Sequence, residues 1–224
     1  MISARILAIS ILWAALSAPF LCAGDLSKYR EFQLGMDLLA VVKQAGMKPP
    51  EVRVIHQRPA AIQELAWQPP RLRGSSLETD PVREVIFSFY NGELFRMLVD
   101  YDPYRTEGLT AEDMVEAISA KYGTAARPAA EITLRYNERE KVIARWEDSQ
   151  YSFNLVRSPY GLTFTMVVFS KRLDALAQAA IAEAIRLDKQ ETPQREIERQ
   201  GKQDEEIRAA HEKARLVNKP SFRP

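Results

Sequence analysis

The strongest constraint on the fold is a pattern that occurs twice along the chain: one helix that ends in glycine, then four short strands. The first helix pattern lies in "LGMDLLAVVKQAGM" and the second in "LTAEDMVEAISAKYG". The strands are joined mostly by hairpin-length connections, whereas parallel strands need crossovers of a dozen or more residues. The sequence therefore predicts an α+β fold of two tandem units, each a helix plus a four-stranded antiparallel sheet, followed by a C-terminal helix and a charged tail.

Both helix patterns carry their own end signals. In the first, five apolar residues at helical spacing precede Gly46, which suits a left-handed C-terminal cap. In the second, Thr110 is an expected N-cap with Asp113 three residues later, and Gly123 ends the helix. The apolar stripe of the first helix consists of Leu34, Leu38, Val41, Val42 and Ala45.

These patterns divide the chain into five parts. The long Pro/Gly/Ser-rich stretch at 68–81 is predicted to be a surface loop inside the first unit. The strand patterns are 51–57, 61–67, 83–90 and 93–101 in the first unit, and 131–136, 141–147, 150–157 and 162–171 in the second. The predicted parts are a signal peptide (1–23), the first unit (24–107), the second unit (108–172), a docking helix (173–192) and a charged helix or tail (193–224).

The hairpin at 84–101 carries the strongest turn signal, because Asn91-Gly92 suits a type I′ turn between apolar runs. A two-residue loop would pair Phe89 with Leu94, and continuing this register would pair Phe87 with Arg96 and Val85 with Leu98. The opposite face would then hold Ile86, Tyr90, Phe95, Met97 and Val99.

Both faces of this hairpin are thus predicted to be largely apolar. Aromatic residues on an exposed sheet face make protein contacts, so we predict a binding surface there. The alternative is that this second face packs against the other unit or the C-terminal helix. The candidate binding residues are Tyr90, Phe95, Met97 and Tyr101.

The second set of strands gives a cleaner alternation. A turn at Asp148-Ser149 would pair Trp146 with Tyr151, Ala144 with Phe153 and Val142 with Leu155, and a second turn would place Leu155 beside Phe164. One continuous apolar face results. The residues predicted behind that face are Arg145, Ser152, Asn154 and Thr165.

The last third of the chain changes in composition. Residues 172–187 keep one apolar side that is expected to dock on the preceding sheet, and Pro193 is expected to break the helix. Residues 194–217 are charged with scattered apolar positions, which predicts an exposed helix or a frayed tail.

The N-terminus indicates secretion. Arg5 precedes an uncharged apolar run at 6–16, which has the length of a signal-peptide core and is too short to span a bilayer. Cleavage is expected after Ala23 or Gly24, which would discard Cys22 and leave a periplasmic or secreted chain with no integral membrane span. A lipid anchor at Cys22 is the alternative, although Leu21 precedes it where bacterial lipoproteins have a small residue.

Few residues suggest a catalytic, metal-binding or nucleic-acid-binding site. The 31 Lys and Arg nearly balance the 30 Asp and Glu, so we expect no nucleic-acid partner. His56 and His211 lack metal-ligand spacing, and "DYDPYRTE" lacks the glycine of a calcium loop. Glu147 and Asp148 adjoin at a hairpin tip, where solvated charge is expected. We therefore predict no metal, no cofactor and no catalytic residue.

The helix that begins with Leu34-Gly35-Met36, followed by strands and a second such unit, resembles the tandem folds of the β-lactamase-inhibitor-protein type. It is also similar to the small lipoprotein of the outer-membrane β-barrel assembly machine. The resemblance implies a module that binds an envelope protein and has no catalytic site. We thus predict a non-catalytic protein-binding or scaffold module, with a cell-envelope hydrolase that uses dispersed carboxylates as the alternative.

Overall fold

The computed structural model describes residues 24–47, 52–70, 80–134, 138–157, 163–221 and 223. It confirms the α+β class, with three helices, a large antiparallel sheet and a small two-stranded one. The helices are α1 (Leu38–Gln44), α2 (Ala111–Tyr122) and α3 (Lys171–Asn218), and a short 3₁₀ helix covers Lys219–Ser221. The strands are β1 (Lys28–Tyr29), β2 (Phe32–Gln33), β3 (Arg53–His56), β4 (Ile62–Trp67), β5 (Val82–Tyr90), β6 (Glu93–Tyr101), β7 (Glu131–Thr133), β8 (Arg139–Glu147), β9 (Tyr151–Arg157) and β10 (Phe164–Ser170).

All eight predicted strands join one sheet in the order β3-β4-β5-β6-β10-β9-β8-β7, with antiparallel neighbours throughout. The last strand of each four-strand run, β6 and β10, meet at the centre. The sheet is therefore continuous across the two halves of the chain, and β3 and β7 are its edges.

One face of the sheet carries the main core. Trp146 is buried there, and its indole N–H donates to the Gly123 carbonyl oxygen at the end of α2 (2.9 Å). The Tyr122 ring meets that of Phe153 edge-on, with centroids 4.6 Å apart. From the other half, the Trp67 indole N–H donates to the Ala45 carbonyl oxygen after α1 (3.1 Å). We call this side, which α1 and α2 cover, the core face.

Local end signals formed as the sequence predicts, but α1 is shorter than its apolar stripe. Thr110 and Asp113 form the reciprocal capping box of α2. Gly46 follows α1 with a φ of +62°, a left-handed conformation that suits glycine. The first helix begins only after Asp37, whose carboxylate accepts from the Ala40 N–H (2.8 Å), so Leu34 lies in the preceding loop.

The predicted register of the first hairpin is wrong beyond its turn. Asn91 and Gly92 both have positive φ, which confirms the type I′ turn, and Phe89 pairs with Leu94. The next pair is Ser88 with Arg96, so Phe95 is an extra residue that forms a β-bulge. Because the side-chain period is two, this single extra residue moves every later side chain of β6 to the opposite face. Phe87 therefore faces Met97 instead of Arg96, and Val85 faces Val99 instead of Leu98.

The second set of strands also differs in register, but by two residues. Trp146 pairs with Phe153 instead of Tyr151, and Leu155 pairs with Met166 instead of Phe164. The Asp148 carboxylate accepts from the backbone N–H groups of Gln150 and Tyr151 (both 2.7 Å), which makes the turn longer than two residues. A shift of two preserves the faces, so Ala144 and Trp146 lie on the predicted apolar face although their partners differ. A β-bulge between Val142 and Ala144 pairs Val142 with Val156, which moves Val142 to the opposite face.

The C-terminal helix corrects a further expectation. α3 runs from Lys171 to Asn218 and continues through Pro193, which was expected to end it. Its first part docks on the sheet through a stripe of buried residues, Leu173, Ala177, Ala180 and Ala184. Residues 201–218 are exposed throughout. Among the described residues, no helix combines the length and the apolar character that a membrane crossing requires.

Candidate functional site

A cavity of about 370 Å³ lies between the sheet and α3, on the side opposite the core face. We call this second side the helix face. The cavity floor comes from β4, β5 and β6, and one wall comes from α3. Eight of its fifteen lining residues are apolar: Ile55, Ile62, Ile86, Phe95, Leu98, Leu134, Ile181 and Ile185.

Residues from both edges of the sheet border this cavity. Arg53, Ile55 and His56 belong to edge strand β3, and Thr133 belongs to edge strand β7. The sheet therefore curves strongly enough to bring β7 across the helix face, as its right-handed twist favours. The resulting space is walled by β3, α3 and the end of β7.

Arg96 is the buried charge of this site. Its guanidinium donates to the carbonyl oxygen of Thr133 and, at 3.4 Å, to the carboxylate of Asp174 on α3. The Arg96 side chain is 10% exposed and that of Asp174 is 18% exposed. A guanidinium has five N–H groups, and the 3.4 Å contact is at the long end of a hydrogen bond. Arg96 thus links the sheet, the β7 edge and α3 at one point.

Burial dominates the electrostatics of this pair. The pKa of Arg96 is lowered because desolvation disfavours its charge by more than the nearby Asp174 and Glu64 favour it. The pKa of Asp174 is raised, again chiefly by desolvation, with Arg96 acting in the opposite direction. Both groups therefore lack full compensation for the water they have lost.

The predicted binding residues do not form one surface. Tyr90 is half-buried and packs near Phe95, which is buried beneath α3. Met97 and Tyr101 lie on the core face, because of the bulge at Phe95. The candidate set Tyr90, Phe95, Met97 and Tyr101 is thus divided between the two sides of the sheet, and its binding role stays a prediction.

Other residues considered for chemistry are dispersed. His56 borders the cavity, whereas His211 is on the exposed part of α3. Glu147 and Asp148 are exposed at the β8–β9 turn, where Glu147 forms an ion pair with Lys171 (2.7 Å). Within the part of the chain that the structure describes, no group of three or more His, Cys, Asp or Glu could hold a metal ion. Cys22 and the signal peptide lie outside the described residues.

Sequence reasoning missed the Arg96–Asp174 pair and the cavity. The one available signal in the sequence was the lone charge, Arg96, in the apolar run "LFRMLV", which the wrong register assigned to the same face as Phe87. The polar residues predicted behind the second apolar face are part of the same side. There the Arg145 Nε–H donates to the Asn154 side-chain oxygen (2.6 Å), and the Asn154 side-chain N–H₂ donates to Ser152 Oγ (2.9 Å).

Comparison of the chain with protein-family models, with curated proteins and with solved structures found no match.

Proposed function

We propose that this protein is a non-catalytic protein-binding or scaffold module of the cell envelope, periplasmic or secreted. One observation carries the proposal: the end of α3 is a long, exposed helical extension of a folded body. The ion pair of Arg58 with Glu191 joins α3 to the loop before β4. Residues 192–218 continue beyond it as helix, for about 40 Å at 1.5 Å per residue. We call residues 192–218 the arm.

The arm is stabilised by its own side chains. Glu196 forms an ion pair with Arg199 (2.6 Å), and Glu212 forms one with Arg215 (3.0 Å). Such pairs on one helix are worth about 0.2–0.5 kcal/mol each. A helix that is polar all round and paired in this way is typical of a segment that bridges solvent between bodies. The exposed apolar residues on the arm offer contacts to a partner: Ile197, Ile207, Leu216 and Val217.

The envelope location rests on the N-terminal sequence, whose Arg5 and apolar run at 6–16 have the form of a signal peptide. We also propose that the two helix-plus-sheet halves are tandem copies of one unit, as in the inhibitor-like modules that the sequence resembles. The mirror order of the strands on either side of the β6–β10 pair supports this. Modules of that kind bind other proteins, which is consistent with a scaffold.

A break in the arm tests the proposal. Ala209 is exposed in the middle of the arm, and Ala209→Pro costs a helix roughly 3 kcal/mol there without touching the sheet. Ala209→Ser is the matched control. We expect cross-linking in cells, with a photoreactive residue at Ile207, to give one specific envelope adduct in the wild type and the control.

The Ala209→Pro chain should lose this adduct while its thermal unfolding midpoint stays within experimental error of the control. Absence of any adduct in the wild type, or an equal yield with Ala209→Pro, would overturn the proposal.

The hydrolase alternative has one specific observation in its favour. Among the carboxyls of the described residues, Asp174 alone has a raised pKa, as a general acid requires. Its nearest charged partner is an arginine instead of a second carboxylate. Turnover of a hydrolase substrate panel that is abolished by Asp174→Asn would favour this alternative over the scaffold.

A further inference from the structure

The cavity on the helix face has features of a small-molecule site, which goes beyond a protein-binding role for the arm. Its walls are mainly apolar, and a single buried guanidinium lies at its floor. Ligand pockets of about 300–1,000 Å³ typically combine apolar walls with a few polar groups that fix the orientation of the ligand. The size, the lining and the charge each restrict which ligand would fit.

The size sets the length of the ligand. At ~30 Å³ for each water-sized atom, 370 Å³ holds about 12 non-hydrogen atoms. The isoleucines Ile55, Ile181 and Ile185 border this space from β3 and α3. Phe95 is the one phenyl ring among the lining residues, and most of the other apolar lining is branched aliphatic, which favours an aliphatic chain over a planar ring system.

The arginines that line the cavity indicate that the ligand has an anionic headgroup. Arg53 and Arg96 line the cavity together with a single carboxylate, Glu64. The contact from Arg96 to Asp174 is long, and desolvation of the guanidinium is not fully compensated. A carboxylate placed on the remaining N–H groups of Arg96 would supply that compensation through charge-assisted hydrogen bonds.

We propose that the cavity binds one aliphatic carboxylate of about ten carbon atoms, with the carboxylate on Arg96 and the chain between β3 and α3. The ligand class is that of a medium-chain fatty acid. The binding is independent of the arm, since Ile185 is the last residue of α3 that lines the cavity.

Isothermal titration of the full chain with three ten-carbon probes, each below its micelle concentration or solubility limit, tests this inference. The probes are decanoate, neutral 1-decanol and cationic decylamine. We expect one decanoate per chain and a dissociation constant about tenfold or more below those of the alcohol and the amine. No saturable binding of decanoate, or equal affinity for decanoate and decanol, would overturn it.

Two variants test where in the cavity the headgroup and the chain of the ligand bind. Arg96→Met should weaken decanoate about tenfold or more and leave decanol nearly unchanged, whereas Arg83→Met on the exposed part of β5 should change neither. Ile181→Trp keeps every charge and fills the cavity, so it should abolish binding of both probes. If Arg96→Met does not fold, the Ile181→Trp result decides, and decanoate binding that survives it overturns the proposal.

The arm variant separates this inference from the proposed function. Ala209→Pro should bind decanoate as the wild type does, even where it loses its cross-linked partner. If the wild type binds decanoate as expected but gives no cross-linked partner through the arm, the ligand site is supported and the scaffold proposal is refuted.

Discussion

The core face and the helix face of the sheet differ in the kinds of side chain that they bury and in how closely these pack. On the core face the buried residues form a continuous apolar cluster around Phe87, Phe153 and Trp146. On the helix face the apolar cluster is small, and its buried sheet residues are Ile62 and Phe95. Most buried polar side chains of the sheet are also on this side, and the cavity opens beside them. The difference shows that one face is organised for stability, while the other retains space and charge at some energetic cost.

The largest expected effect comes from the same substitution on each face. Phe153→Ala removes a fully buried ring on the core face and should lower the free energy of unfolding by about 4 kcal/mol. Phe95→Ala removes an equally large ring beside an open cavity, where water and neighbouring side chains can adjust, so we expect roughly 2 kcal/mol. Urea unfolding of both variants measures the difference. Equal losses would show that the helix face is as tightly packed as the core face.

The two sets of strands that build these faces differed in how well the sequence predicted their register. The eight strands and the type I′ turn were confirmed because their signals are local: alternation of apolar residues and the Asn91-Gly92 pair. Register depends on loop length, which the sequence left ambiguous at Asp148. There the error was two residues, so Trp146 and Phe153 were still assigned to one face.

At Phe95 the error was a single residue, and it reversed the faces. A bulge lets Phe95 pack under α3 while Met97 and Val99 return to the core, so it is selected by both faces at once. Neither partner is adjacent in sequence. The candidate site was missed for the same reason, because Arg96 meets Asp174 across 78 positions and only the folded sheet brings them together.

The Arg96–Asp174 pair provides the second test of the comparison. Arg96→Met leaves Asp174 buried without its partner and should cost roughly 3 kcal/mol. The double variant Arg96→Met, Asp174→Leu replaces the pair by apolar side chains and should recover most of that loss, since both charges are incompletely compensated.

A double-mutant cycle from urea unfolding measures the coupling. If the double variant recovers none of the stability lost in Arg96→Met, the pair is a net stabilising element and the contrast between the faces disappears.

The smallest expected effect is a pH dependence whose sign differs between two arginine–carboxylate pairs. Beside the core face, Arg30 donates twice to Asp80 (both 2.6 Å). Burial would raise the pKa of Asp80, but the hydrogen bonds from Arg30 and from the Val82 N–H outweigh it, and the pKa is lowered. On the helix face the pKa of Asp174 is raised by desolvation. The two carboxyls therefore respond to acid in opposite ways.

The sign follows from proton linkage. A lowered folded-state pKa means that the contribution of Asp80 is full above its unfolded pKa and is lost as pH falls through its folded pKa. A raised folded-state pKa means that the folded chain holds the Asp174 proton more tightly, so its contribution increases as pH falls through the folded pKa towards the unfolded value.

Urea unfolding of the wild type, Asp80→Asn and Asp174→Asn between pH 7 and pH 3 separates the two. As the pH falls, the free energy of unfolding of Asp80→Asn should rise relative to that of the wild type, and that of Asp174→Asn should fall relative to it. Both carboxyls are partly exposed, so solvent screening keeps each difference below those of the preceding tests. The same slope for both variants would mean that Arg96 compensates Asp174 as fully as Arg30 compensates Asp80, and the cavity would then have no uncompensated charge to offer a ligand.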